Sequence, residues 1–145
     1  MGKALMKKIV LVSCTKKKLP HAASAERLYS PSARFRYSLA YARSLQPDAI
    51  YILSAKHGLV SLDQHLEPYE QTLKRANRAE RSKWGRQVLS QLARVCHPTE
   101  DRFVILAGKD YYETLLPSLP NCELPLMGLG QGKGLKCLKR LTGPL

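Results

Sequence analysis

Four short stretches of this chain concentrate the side chains able to do chemistry. The first is Ser13-Cys-Thr-Lys-Lys-Lys18. The hydroxyls of Ser13 and Thr15 and the ammonium groups of Lys16, Lys17 and Lys18 suit a phosphate cradle, or the three lysines form a solvated turn. Cys14, beside these lysines, is either a thiol of lowered pKa or simply the last inward residue of a strand. The second is Ser54-Ala-Lys-His-Gly-Leu59, followed by Glu67-Pro-Tyr69. Here Ser54 offers a hydroxyl, and His57 titrates near neutrality and suits acid–base work. Lys56 supplies a cation, Glu67 a carboxylate and Tyr69 a phenol. Catalysis, if present, is expected at His57, Glu67 and Lys56. The third stretch, Ala107-Gly-Lys-Asp-Tyr-Tyr112, contributes Gly108 and a second stacking phenol, Tyr111. The fourth, Gly128-Leu-Gly-Gln-Gly-Lys-Gly134, has the glycine density of a loop whose backbone meets a ligand, at Gly128 and Gly130. Neither the G-x-x-x-x-G-K-[ST] loop nor the full G-x-G-x-x-G fingerprint is present.

Each stretch follows an apolar run. Lys8–Cys14, Asp48–Ala55 and Arg102–Gly108 are short and β-branched, the pattern of strands buried on both faces. Glu123–Gly128 is a weaker fourth strand, with Pro125 suited to an edge. Helical patterns lie between. Ser30-Pro31 resembles an N-cap followed by proline at the first helical position, with Phe35, Leu39, Ala42 and Leu45 on one face. Asn77 and Glu80 form a capping box before Trp84, Val88, Leu92 and Val95, and His97-Pro98 closes that helix. Asp110 and Glu113 repeat the capping pattern, and Leu135, Leu138 and Leu141 mark a last helix. The segment from Lys56 to Ala76 is expected to be an ordered functional loop.

Alternating strands and helices predict one α/β domain over residues 1–145. Its expected form is three-layered, with a mostly parallel sheet of four to five strands flanked by helices. In such a sheet the carboxyl ends of the strands share one edge, and ligands bind in the crevice there. All four chemistry-bearing stretches are expected on that edge.

The 145 residues carry 24 Lys and Arg against 11 Asp and Glu, a formal net charge of +13. That excess favours a polyanionic partner, nucleic acid or nucleotide. The cations of Lys74, Arg75, Arg78, Arg81, Lys83, Arg86 and Arg94 either track a phosphate backbone or form a solvated helix face. Cys14, Cys96, Cys122 and Cys137 form no C-x-x-C pair and no zinc-ligand spacing, so no metal and no cofactor are expected. No apolar run reaches membrane-spanning length, and the basic start Met1–Lys8 lacks a signal-peptide core. A cytoplasmic protein that does not enter membranes is expected.

In order along the chain, several motifs are distinctive. These are Val12-Ser-Cys-x-Lys-Lys, Leu28-Tyr29-Ser, Tyr51-Ile-Leu-Ser-Ala-Lys-His-Gly-Leu59, Glu67-Pro-Tyr69, Leu106-Ala-Gly-x-x-Tyr and Pro125-Leu-x-Gly-Leu-Gly-x-Gly. From about Ile9 to Leu141 the chain resembles a small bacterial and phage domain family of unknown function, of the YaaA-like group. The larger peroxide-stress YaaA proteins share a Leu-Ser-x-x-(Tyr/His)-Gly-Leu strand end followed by Pro-Tyr. Leu53-Ser54, His57-Gly58-Leu59 and Pro68-Tyr69 match it. The resemblance implies DNA binding in an oxidative-stress or DNA-protection response.

Charge, loops and resemblance together predict a nucleic-acid- or nucleotide-binding protein. The alternative is an enzyme acting on a nucleoside or nucleobase, cleaving or exchanging an N-glycosidic bond. There His57 or Glu67 moves the proton and Tyr69 or Tyr111 stacks on the base.

Overall fold

A computed structural model describes residues 6–145; of the basic start, Met1–Leu5 lie outside the described residues. The centre of the fold is β1 (Lys8–Ser13), whose residues Ile9–Val12 are buried. It runs parallel to β3 (Ala49–Ser54) on one side and to β6 (Arg102–Leu106) on the other, with Val10 opposite Ile50 and Val104. Parallel strands need cover on both faces, which explains the unbroken apolar runs. The outer strands are β4 (Gly58–Ser61), antiparallel to β3, and β7 (Cys122–Glu123), parallel to β6, giving the order β4-β3-β1-β6-β7. The chain is therefore a mixed α/β fold around a mostly parallel five-stranded sheet.

Two strand expectations need correction. The fourth strand is not Glu123–Gly128 but the two residues Cys122–Glu123. Pro125 has no N–H for a ladder, and the next residues turn instead, Met127 N–H donating to Leu124 O and Leu129 N–H to Leu126 O. The second concerns Lys56–Ala76, which is built rather than looped. It holds β4, the strand β5 (His65–Leu66) and a 3₁₀ turn at Leu73–Arg75. The hairpin from β3 into β4 turns at Gly58, whose φ of 73° is left-handed. β5 pairs antiparallel with β2 (Ala23–Ser24), forming a separate small ribbon that leads into the one-turn helix α1 (Ala25–Leu28).

Helix α2 (Ala33–Ser44) packs on β1 and on α5 (Gln131–Thr142). Its cap is Ser32, not Ser30: the Ser32 hydroxyl accepts the Phe35 N–H at 3.2 Å, while Ser30 donates its N–H back to Arg27 O in a preceding turn. Helix α3 (Arg78–Ala93) packs on β4 and starts at the expected capping box. Asn77 Oδ1 accepts the Glu80 N–H at 2.8 Å, and Glu80 Oε1 accepts the Asn77 N–H at 3.0 Å. Trp84, Val88 and Leu92 are buried, but the helix stops at Ala93, so Val95 lies beyond it, 41% exposed. The buried Asp101 organises the turn that follows, its carboxylate accepting the N–H groups of His97 and Lys7.

After β6, the expected Asp110–Glu113 capping does not form. Gly108 holds the cap position of α4 (Lys109–Tyr112), and Asp110 lies inside that single turn, paired with Arg81 at 3.2 Å. In α5, Leu138 is fully buried and Leu141 is 46% exposed, so the expected leucine face is only partly covered.

Candidate functional site

Because β1, β3 and β6 are parallel neighbours, their carboxyl ends share an edge. Cys14 N–H donates to Leu53 O at 2.9 Å, continuing the β1–β3 pairing just past the strand. At the end of β3, Ser54 is fully buried and its oxygen atoms are fully used. Its hydroxyl accepts the His57 N–H at 3.0 Å and shares a hydrogen bond with the Tyr69 hydroxyl at 2.7 Å. Its carbonyl accepts the Trp84 indole N–H at 2.8 Å. Tyr69 in turn meets the Tyr29 hydroxyl at 2.6 Å. On the β1 side, the Cys14 thiol lies 3.5 Å from the Tyr111 hydroxyl, and Tyr111 packs edge-on against Trp84. Three phenols, a thiol and a serine hydroxyl thus gather where three strands end.

Burial governs the electrostatics of this cluster. It pushes the Tyr29 phenol up to about 12, and pushes Tyr69 and Tyr111 upward as well, with Cys14 nearby adding to each shift. The phenols therefore stay protonated at neutral pH and act as neutral donors and acceptors. The Lys18 ammonium sits 4.6 Å from the Tyr69 ring centroid and 5.9 Å from that of Tyr29. Burial lowers its pKa, opposed by Cys14 and Glu70. The His57 imidazole stands edge-on to Tyr69, with ring centroids 5.6 Å apart. Burial and then the adjacent Lys56 cation lower its pKa, which favours the neutral ring at pH 7. The site thus presents a cation and an imidazole whose neutral form is favoured, both beside the half-buried Tyr69 phenol.

Cys14, Ser54, His57, Tyr69 and Tyr111 are brought together. The other expected residues are placed differently. Ser13 donates its hydroxyl to the neighbouring Cys14 carbonyl, and Thr15 donates to Lys17 O, so both hydroxyls are occupied. Lys16 and Lys17 are exposed; it is Lys18 that turns inward. Glu67 is exposed and makes no hydrogen bond or ion pair among the described residues, so nothing links its carboxylate to His57 or Lys56. Gly108, Gly128 and Gly130 are exposed at helix approaches, Gly108 before α4 and Gly130 before α5, with Gly128 in the left-handed region at φ 78°.

Lys56 faces another feature. A cleft of about 500 Å³ opens between Ala55–Lys56, the segment 70–76 and α3, with Trp84 in its lining. Gln71 closes one side by donating to Ala55 O at 3.4 Å. Arg75 and Lys83 add cations to its walls, and Glu70 and Glu80 add carboxylates.

Sequence patterns did not single out Tyr29 as a site residue, counted Lys18 only as one of three loop lysines, and placed Trp84 in the core alone. Tyr29 enters through the β2–β5 ribbon and α1, elements of two and four residues that carry no periodicity. Gln87 and Gln91 were also missed; both donate to the His57 carbonyl at 3.3 Å, and Gln91 accepts the Leu59 N–H at 2.8 Å, holding the Lys56–His57 turn against α3. Among the described residues, no group of three or more His, Cys, Asp or Glu side chains is placed to hold a metal ion, and no helix is long and apolar enough to cross a membrane.

Comparison with known proteins gives one relationship. A model described as a family of unknown function, DUF6884, matches residues 9–140, and the chain belongs to that family. No curated protein and no solved structure matches it.

Proposed function

We propose that this DUF6884 member binds nucleotide units, free or within a nucleic acid, at the carboxyl edge of its sheet. One observation carries the proposal: Lys18 and His57 flank the Tyr69 phenol where β1 and β3 end. A cation beside aromatic rings and hydroxyls serves both halves of a nucleotide. The ammonium meets phosphate, and the ring edges and neutral donors meet the base. The net charge of +13 draws such anions from solution. The resemblance to the YaaA-like group points the same way, toward DNA and its protection in a cytoplasmic stress response. With α2 and α5 stacked beyond β1 and α3 against β4, we take the sheet as the middle of three layers.

The test is calorimetric titration of the protein with mononucleotides. Lys18→Gln removes the cation and should weaken binding about tenfold, or ~1.4 kcal/mol. Unchanged affinity in Lys18→Gln, or no binding by the wild type, would remove this proposal.

A second reading, hydrolysis or exchange at an N-glycosidic bond, draws on the hydroxyl chain from Tyr29 through Tyr69 to Ser54, with the neutral His57 imidazole beside it. A neutral imidazole can accept a proton, and Glu67 lies on the strand-free segment between β5 and Tyr69. Base release from nucleosides or DNA, reduced about 10²–10⁴-fold in His57→Gln and Glu67→Gln, would favour it. Turnover indifferent to both substitutions would exclude those residues.

A further inference from the structure

The carboxyl-edge site uses none of the cations on the outer side of α3. Arg81 is already engaged, paired with Asp110 and donating to Leu73 O at 2.9 Å. Lys83, Arg86 and Arg94 are exposed, and their side chains make no hydrogen bond or ion pair among the described residues. At about 100° per residue they fall within roughly 80° of one another on the helix. From Lys83 to Arg94 the rise is about 16 Å, the axial length of roughly five nucleotides in one B-form strand. The row starts in the 500 Å³ cleft, where Lys83 stands with Lys56 and Arg75. Of the two carboxylates there, Glu80 is held on the Asn77 N–H by the capping box.

We infer that the polyanion is a nucleic-acid strand, whose sugar–phosphate backbone crosses the cleft at Lys56 and Arg75 and continues along Lys83, Arg86 and Arg94. This rests on the nucleotide reading of the neighbouring site and supplies its partner. The cations lead out of the cleft along one helix face, with rises of about 4.5 and 12 Å between them, so that each can meet a different phosphate of one strand. Ala79, ahead of Lys83, and Ser90 and Ala93, between Arg86 and Arg94, lie on this face and are small, whereas a membrane surface would require large apolar side chains there.

The experiment measures fluorescence anisotropy of a labelled 20-nucleotide single-stranded DNA, and of the RNA of the same sequence, across a salt series. The full-length protein is compared with Lys83→Gln/Arg86→Gln/Arg94→Gln and with a control, Lys133→Gln/Lys136→Gln/Arg140→Gln on α5. Calorimetry with AMP is run on all three. The α3 triple should lower the log–log salt slope by about 2 and weaken oligonucleotide binding more than tenfold, while AMP binding stays unchanged. The control should keep most of the slope. Tighter binding of one oligonucleotide identifies DNA or RNA as the source of the strand. Equal losses from both triples would overturn the proposal, because binding would then follow total charge. AMP binding without oligonucleotide binding would overturn it and leave the nucleotide site intact. Oligonucleotide binding that depends on α3, without any AMP binding, would keep this surface and remove the nucleotide site. Neither variant removes a side-chain hydrogen bond among the described residues, so urea unfolding should be unaltered and serves as the folding control.

Discussion

Ser54 and Tyr69 share a 2.7 Å hydroxyl hydrogen bond at the end of β3, and Ser54 is fully buried. Through it the backbone of the His57 turn is joined to the Tyr29 hydroxyl, in a chain where each oxygen depends on the next.

Tyr69→Phe removes the middle hydroxyl; it leaves that of Tyr29 without a partner and that of Ser54 with the His57 N–H alone. A buried polar group left unpaired costs about 1–3 kcal/mol. The midpoint of urea unfolding should fall accordingly, with the slope unchanged. Adding Tyr29→Phe should cost less than the sum of the single changes, since the second removes a group the first has orphaned. Additive losses would mean the two phenols stabilise the fold separately.

Gly58→Ala should destabilise the β3–β4 hairpin. Its φ is 73°, and an added Cβ would lie 2.3 Å from Gln91 Oε1. The left-handed backbone alone costs about 1–2 kcal/mol. In a Gln91→Ala background the closest contact disappears, leaving Gln87 Nε2 at 3.1 Å and the backbone part, so Gly58→Ala should cost less there. Equal cost in both backgrounds would show that Gln91 moves aside freely.

The pH dependence of stability follows from His57. Its folded pKa lies below 6.5, through burial and the Lys56 cation. The unfolded chain therefore binds a proton first as pH falls. The contribution of His57 is complete above about 6.5 and is lost as pH drops toward its folded value. His57→Gln should flatten stability in that window. The acid limb below the ordinary carboxylate range should survive the substitution. It belongs to Asp101, whose burial would raise its pKa but whose hydrogen bonds from His97 and Lys7 hold it below the ordinary aspartate value. An unchanged profile between 6.5 and the acid limb would exclude His57 from the titration.

Thiol reactivity should be ranked by environment. Burial, with a neighbouring carboxylate, pushes Cys96 and Cys122 up to about 11, so few are thiolates at neutral pH. Cys14 is buried against Tyr111, while Cys137 is partly exposed on α5. Iodoacetamide followed by mass spectrometry should modify Cys137 first in the native protein. Early modification of Cys14 would show that the phenol cluster opens readily to solvent.

Apolar runs made the sheet centre legible: Ile9–Val12, Ile52–Leu53 and Phe103–Leu106 are buried, and β1, β3 and β6 are parallel. The Asn77–Glu80 box was legible because both partners lie within one turn. What failed was marked by single residues. Ser30 and Ser32 offer the same hydroxyl, and only tertiary packing decides which one caps α2. Strand β4 was hidden because it is four residues long and begins at the turn glycine itself, Gly58. At the site, Ser54, His57 and Tyr69 announced themselves by type and spacing. Lys18 was legible only as one of three loop lysines; that it and Tyr29 both meet Tyr69 depends on the path of the chain, which no local pattern encodes.

The β2–β5 ribbon has a kinetic meaning. Ala23 pairs with Leu66 and Ser24 with His65, and the Ala25 and Glu26 N–H groups donate to Gln64 O and Leu62 O. Leu19 N–H is also bonded to Leu28 O. These bonds fasten the stretch that carries Lys18 and Tyr29 to the stretch that carries Tyr69. Neither side can lift away without breaking the ribbon, so the two halves form one cooperative opening unit. Amide hydrogens of Ala25, Glu26 and Leu66 should exchange with a common opening free energy, below that of β1. A ligand reaching the phenols would find the cover either wholly closed or wholly open.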